Sequence, residues 1–176
     1  ESFIGLDKKK YELNSNDLVI ADKDKVVSLA GIMGGLNSCV DENTKEVFLE
    51  VALFDPNLIS NTGRRLNIMS DSRYRFERGI DPRGLYEGLE KATKMIIDIC
   101  GGEFSEIEKE GKISFKDNKI KYNPANFVSV IGYEMAVNKQ LEILKNLSFQ
   151  VEKNKKNETF LIAPSWRNDI HQENDI

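Results

Sequence analysis

SDSRYRFERG, residues 70–79, sets three arginines, two acids and two aromatic side chains between a serine and a glycine. The chain as a whole has a formal net charge of −4, so positive charge is gathered here against the general trend. In an extended stretch, Arg73 and Arg75 share a face with Asp71 and Glu77, while Tyr74 and Phe76 alternate with Ser70, Ser72 and Arg78. The alternation predicts an extended segment with a buried aromatic face and arginines paired to their own acids. Direct contact between these arginines and a phosphate-bearing partner is the alternative.

Composition narrows the setting. At 176 residues the chain is one fair-sized domain or two small ones, enough to bury a core. No apolar run approaches the ~18 residues of a membrane helix, and ESFIGLDKKKYEL lacks the basic-then-apolar order of a secretory leader. Cys39 and Cys100 stand without a CxxC pair or a neighbouring His, which predicts buried, reduced thiols in a cytoplasmic protein. An acidic total argues against indiscriminate nucleic-acid binding but leaves room for a local basic patch. His171 is the single histidine, so a His-based zinc site or a Ser–His–Asp triad has little support.

Upstream of residues 70–79, YEL, DLVIAD and VVSLAG read as short strands, and GIMGGLNS as a glycine-rich connection. EVFLEVALF (46–54) is the strongest strand pattern, followed by a helix that starts at Asp55 and Pro56 and ends near Gly63. Downstream, Asp81 and Pro82 open a helix with Leu85, Leu89, Ala92, Ile96 and Ile99 as its apolar stripe, stopped by Gly101 and Gly102. EFSEIEKEGKISFKDNKIKY is polar, strand-like and a junction. Beyond it, NPANFVSVIG and the run of Leu141, Leu144 and Leu147 predict two helices, and FQVE with TFLIAP a hairpin, the outline of a winged-helix-like module. The fold class expected is α+β, with residues 1–110 as one domain and 111–176 as a second.

Three places can carry chemistry. In an extended VFLEVALF both faces are apolar, and Glu50 is the one ionisable group, so it is expected to be buried. A buried carboxylate needs a partner. An arginine, Arg64 or Arg65, is one reading; a pocket in which Glu50 binds a polar group of an otherwise apolar ligand is the other. In AGIMGGLNS, adjacent glycines permit close backbone approach, yet the spacing is neither a P-loop nor GxGxxG, and a tight turn explains it as well. In PSWRNDIHQENDI the acids at 169, 173 and 175 read as a frayed acidic helix start or as part of a Mg2+ site.

LAGIMGGLNSCVDENTKEVFLEVALFDPNLI, RRLNIMSDSRYRFERGIDP and ICGGEFSEI resemble the B3/B4 editing domain of the bacterial phenylalanyl-tRNA synthetase β subunit. APSWRNDI resembles the B5 module that follows it, and RFERGIDP is a specific signature. The resemblance implies a fragment: the C-terminal part of a mixed sheet-and-helix B3/B4 domain, then a B5 module truncated at its C-terminal helix. It implies hydrolysis of tyrosine mistakenly attached to the phenylalanine tRNA, within a cytoplasmic enzyme that joins phenylalanine to that tRNA with ATP and Mg2+. The implied partners are the α subunit, tRNA(Phe) and the mischarged tyrosyl ester, with no membrane. No tight cofactor is expected on the fragment itself.

Position by position, the resemblance assigns Glu50 to the acid that recognises the tyrosine para-hydroxyl and Gly34 to the glycine lining the pocket. Ser70 falls where the family has a threonine or serine, and Ser72 where many members have alanine. Asp169 and Asp175 match the first two of four acids at the Mg2+ site shared with the α subunit, the other two lying past Ile176. No nucleophile or general base is implied; water positioned against a reactive ester does the chemistry. The family's pocket also uses a His-containing segment upstream of residue 1, so an incomplete pocket is expected. Phenylalanine would leave the Glu50 carboxylate without a donor, which can discriminate by ~10⁴–10⁵ in favourable sites. A non-catalytic module that positions tRNA or the α subunit is the alternative. Nucleic-acid binding by the second module finds only Lys139 and Lys145 on the helix NKQLEILKNL.

Overall fold

The computed structural model describes residues 1–113, 115 and 117–176, which fall into two compact units. The first holds residues 1–80 and 84–109; the second holds 81–83 and 110–176. The class is α+β, with short antiparallel sheets and helices in each unit. Among the described residues no helix is long and apolar enough to cross a membrane.

In the first unit β1 (Ser2–Ile4) pairs antiparallel with β2 (Lys10–Glu12), and β3 (Val19–Ala21), β4 (Val26–Leu29) and β5 (Met33–Gly34) form a meander. The two sheets are stitched where Gly5 bridges Gly35. The turn between β4 and β5 contains Gly31 at φ +65°, and a Cβ there would lie 3.0 Å from both Phe54 and Phe76. Positive φ and crowding together leave this position to glycine. Phe3, Leu29, Ile32, Ile59 and Ile68 form the buried core, flanked by Phe54 and Phe76, whose ring centroids are 5.2 Å apart.

Asp55 caps α1 (Pro56–Arg65), its carboxylate accepting the Asn57 and Leu58 N–H groups, with Pro56 in the first turn as the sequence implies. Residues 70–79 depart from expectation. They form a helix, α2 (Asp71–Phe76), capped by Ser70, rather than an extended segment. Alternating charge fits a period of two, but the Arg73–Glu77 ion pair needs the i,i+4 spacing of a helix, and α2 packs on α1. The 46–54 strand is also absent: residues 45–55 carry no strand, and Phe48 is 88% exposed. A strand exists only through a paired ladder, and among the described residues no edge pairs with this one. The stretch is anchored at its end by Phe54.

The third helix, α3 (Leu85–Cys100), begins three residues later than predicted. Asp81 caps a turn instead, accepting the Arg83 N–H at 2.9 Å. Leu85, Leu89, Ala92 and Ile96 are half-buried as the stripe requires, whereas Ile99 in the last turn is 76% exposed. Cys39 and Cys100 are exposed, against the expectation of burial, because one follows a surface 3-10 turn and the other ends α3.

In the second unit, Lys119–Tyr122 of the polar junction forms β6, the edge of a sheet ordered β6-β8-β7. Ser114 and Lys116 of that expected strand-like stretch lie outside the described residues. The predicted helices and hairpin are α4 (Pro124–Ile131), α5 (Val137–Asn146), β7 (Gln150–Lys153) and β8 (Thr159–Ile162). Ile120, Tyr122, Leu144, Phe149, Leu161 and Ile170 make the core. The Tyr122 hydroxyl donates to buried Gln140 at 2.5 Å, and the Gln140 amide donates to the Met135 carbonyl, so its polar atoms are satisfied.

Truncating Ile59 to Ala, at a site 1% exposed, is expected to cost about 2–5 kcal/mol. Ile99→Ala is expected to cost less than about 0.5 kcal/mol. Urea unfolding followed by circular dichroism separates the two.

Candidate functional site

The double glycine belongs to the sheet. The Gly34 carbonyl accepts the Leu6 N–H at 3.1 Å, and the Gly35 N–H donates to the Val27 carbonyl at 2.9 Å. A Cβ on Gly34 would come within 3.2 Å of the Leu6 side chain, and one on Gly35 within 2.5 Å of the Val27 carbonyl. Both glycines therefore permit close packing of strands, whatever else Gly34 does.

Ser70 is tied to this segment. Its hydroxyl donates to the Ile32 carbonyl at 2.6 Å and accepts the Arg73 N–H at 3.0 Å. The cap of α2 is thus fixed two residues before Gly34, so Ser70 and the glycine-rich turn form one neighbourhood. Ser72, one turn position on, is exposed.

Of the arginines in the opening stretch, Arg73 is buried, at 8% exposure. Its Nε donates to Glu77 at 3.0 Å and its Nη1 to the Ile68 carbonyl at 2.6 Å. Arg78 shares Glu77, donates to the Tyr74 carbonyl and stacks 3.8 Å from the Tyr74 ring centroid. Arg73 and Arg78 thus meet local acid, but through Glu77 alone, and among the described residues no acid pairs with Arg75; the helix replaces the Asp71–Glu77 ladder. Sequence reasoning missed the enclosure of Arg73. The signals were Gly63 and the Arg73/Glu77 spacing, both legible only once residues 71–76 are read as helical.

Glu50 is exposed, not buried, since the strand that would bury it does not form. Neither Arg64 nor Arg65 closes over it: Arg65 pairs with Asp17, a carboxylate that also accepts the Thr62 hydroxyl. Nearby protein bulk still pushes the Glu50 carboxyl above its ordinary pKa, by desolvation alone. The Glu50 side chain remains exposed. Hydrogen-bond donors lower the carboxyls of Asp7, Asp17, Asp22, Glu158, Asp169 and Asp175, whereas among the described residues none reaches Glu50.

The chain's last acids are held separately. Arg167 grips Asp169 with two hydrogen bonds, at 2.8 and 2.7 Å, and pulls its carboxyl down to about 2. Asp175 accepts the His171 and Gln172 N–H groups inside a short 3-10 turn, Glu173–Asp175, which replaces the frayed helix start. Asp175 lines a hollow of ≈380 Å³ with α4 and α5 that Asp169 does not reach. A cleft of ≈620 Å³ in the same unit, lined by Asn118, Arg167, Asn168 and His171, includes neither acid. Among the described residues no group of three acids, His or Cys is placed to hold a metal. As arranged, the two acids do not fit a Mg2+ site, because a cation at Asp169 would have to displace the guanidinium.

Residues 1–101 match the B3/4 domain family. The chain belongs to that family. Residues 120–176 match the tRNA synthetase B5 domain. The B3/4 chain is similar to proteins named phenylalanine–tRNA ligase beta subunit. It is 45% identical to that of Gluconobacter oxydans over 97% of its length and 43% identical to that of Cereibacter sphaeroides over all of it. That of Paramagnetospirillum magneticum is 42% identical, again over the whole chain. The chain spans about a fifth of the length of these relatives, 21–22%.

The Asp169 carboxyl is expected to titrate near pH 2 by carbon-13 NMR. Its pKa is lowered, so the pair with Arg167 is intact at neutral pH and weakens only as pH falls through that value. In Arg167→Ala the midpoint is expected to rise toward the ordinary aspartate range, near 4.

Proposed function

We propose that this chain is the editing part of a phenylalanine–tRNA ligase β subunit and contributes to hydrolysis of tyrosine mistakenly esterified to tRNA(Phe). The observation that carries the reading is Glu50: an exposed carboxylate on the stretch anchored by Phe54, without a donor among the described residues and with its charged form disfavoured by nearby protein bulk. A tyrosyl phenol supplies the donor and a phenylalanyl ring does not. The physics favours such a site over one that must exclude a hydroxyl. A group built to bind O–H penalises its absence, whereas an apolar pocket tolerates its presence.

The Gly34–Ser70 segment supports a positioning role. Ser70, already bonded on both sides, orients the wall that carries Gly34, and the glycine backbone can lie close to an aminoacyl ester. Ser72 adds a hydroxyl at the exposed side of α2. None of these is a nucleophile, so the reaction is water attacking the ester carbonyl with the alcohol of the tRNA ribose leaving. The longer parent enzyme supplies the remaining cover for Glu50 and the partners: the α subunit, tRNA(Phe), ATP and Mg2+, in the cytoplasm.

A second reading, a non-catalytic surface for tRNA or the α subunit, is favoured by the exposed apolar run around Phe48. One experiment separates them. In the parent enzyme carrying Glu50→Ala, the preference for hydrolysing Tyr-tRNA(Phe) over Phe-tRNA(Phe) is expected to fall at least 100-fold, measured with each charged tRNA. Unchanged selectivity rejects the editing role of Glu50 and leaves the docking surface.

A further inference from the structure

We propose that Arg73 is a positioning residue for the Gly34–Ser70 wall, held by the space that Gly63 leaves and by Glu77. The inference rests on the editing reading of that wall, though not on the role of Glu50.

Its geometry is over-determined. The guanidinium lies against Gly63 so closely that a Cβ there would sit 2.3 Å from Nε and 2.4 Å from Cδ. From that seat Nη1 donates to the Ile68 carbonyl at 2.6 Å, and Nε donates to Glu77 at 3.0 Å. The same residue's backbone N–H donates to Ser70 Oγ at 3.0 Å, and Ser70 Oγ donates onward to the Ile32 carbonyl at 2.6 Å. A continuous path therefore runs from Gly63 through Arg73 and Ser70 to the turn before Gly34.

A buried ion pair is a poor source of stability, since well-packed apolar side chains often replace one at no loss. What a fork of fixed donors adds is orientation. Here the fork spans two acceptors, one on the strand-like approach to Ser70 and one at the far end of α2. Lysine keeps the charge but has no planar fork to hold both. Arg73 touches no reacting atom; it acts by holding Ser70 and the Ile32–Gly34 backbone in place. Shifts of about 1 Å at such a wall can cost about 100-fold in rate.

The test uses the complete enzyme, with both subunits, carrying Arg73→Lys, Gly63→Ala or Glu77→Gln. Hydrolysis of Tyr-tRNA(Phe) is measured alongside phenylalanine attachment and thermal melting. Gly63→Ala suits the helix itself, as alanine is the better helix former, so its effect falls on the arginine seat. Arg73→Lys and Gly63→Ala are expected to lower kcat for hydrolysis by roughly 10- to 100-fold, with KM and phenylalanine attachment within about twofold. Glu77→Gln, which keeps an oxygen acceptor for Nε, is expected to lose less. Wild-type kcat in a folded Arg73→Lys enzyme overturns the proposal, as does a change confined to KM or an equal loss of both activities. Where Arg73→Lys does not fold, wild-type kcat in both other variants overturns it. Glu50→Ala, which leaves no acceptor for the phenol, separates the two ideas. If it hydrolyses normally while Gly63→Ala does not, the phenol-reading role fails and positioning by Arg73 stands. If the unsubstituted enzyme does not hydrolyse Tyr-tRNA(Phe), both fail.

Discussion

A single hydroxyl joins the helical and sheet parts of the candidate site. Ser70 caps α2 by accepting the Arg73 N–H and spends its own proton on the Ile32 carbonyl. The bond to Ile32 ties α2 to the β4–β5 turn, where Phe54 and Phe76 close over Gly31. Turn, helix cap and core are thus one cooperative arrangement, so small changes at position 70 reach the glycine segment directly.

The arginine-rich stretch that looked like a landing site for phosphate is mostly internal bracing. Arg73 is enclosed by Gly63, Ile68 and Glu77, and Arg78 is spent on Glu77 and the Tyr74 ring. Glu50 has a different electrostatic character. Among the described residues exposed Glu50 meets no cation and no donor, and nearby protein bulk disfavours its charged form. In the proposed editing role such an acid is matched by a ligand that brings a neutral O–H, which is the chemical difference between tyrosine and phenylalanine.

Much of this was legible in the sequence where local chemistry decides the outcome. Asp55–Pro56 and Asn123–Pro124 mark helix starts because cap and N1 preferences act within one turn. The hairpin of β7 and β8 shows in its alternation and its turn. What failed was non-local. Residues 46–54 have every intrinsic preference of a strand, but a ladder needs a second edge, and no property of the stretch itself reports whether one is present. Residues 71–76 have charges that alternate, but Ser70 and the Gly63 seat select the helix, and both act through tertiary contact. The roles proposed for Glu50, Gly34, Ser70, Ser72, Asp169 and Asp175 rest on likeness to a family, while their surroundings are set by tertiary contacts that no local pattern reports.

The central claim is that a carboxylate at position 50 accepts a proton-bearing phenol. The most direct measurement is a crystal structure of the complete enzyme with a non-hydrolysable tyrosyl amide of adenosine. The account predicts the phenol oxygen at hydrogen-bonding distance from Glu50, about 2.7 Å, with the aminoacyl linkage beside Gly34 and Ser70. A tyrosyl group bound elsewhere, or bound there with its hydroxyl turned away from Glu50, would contradict it.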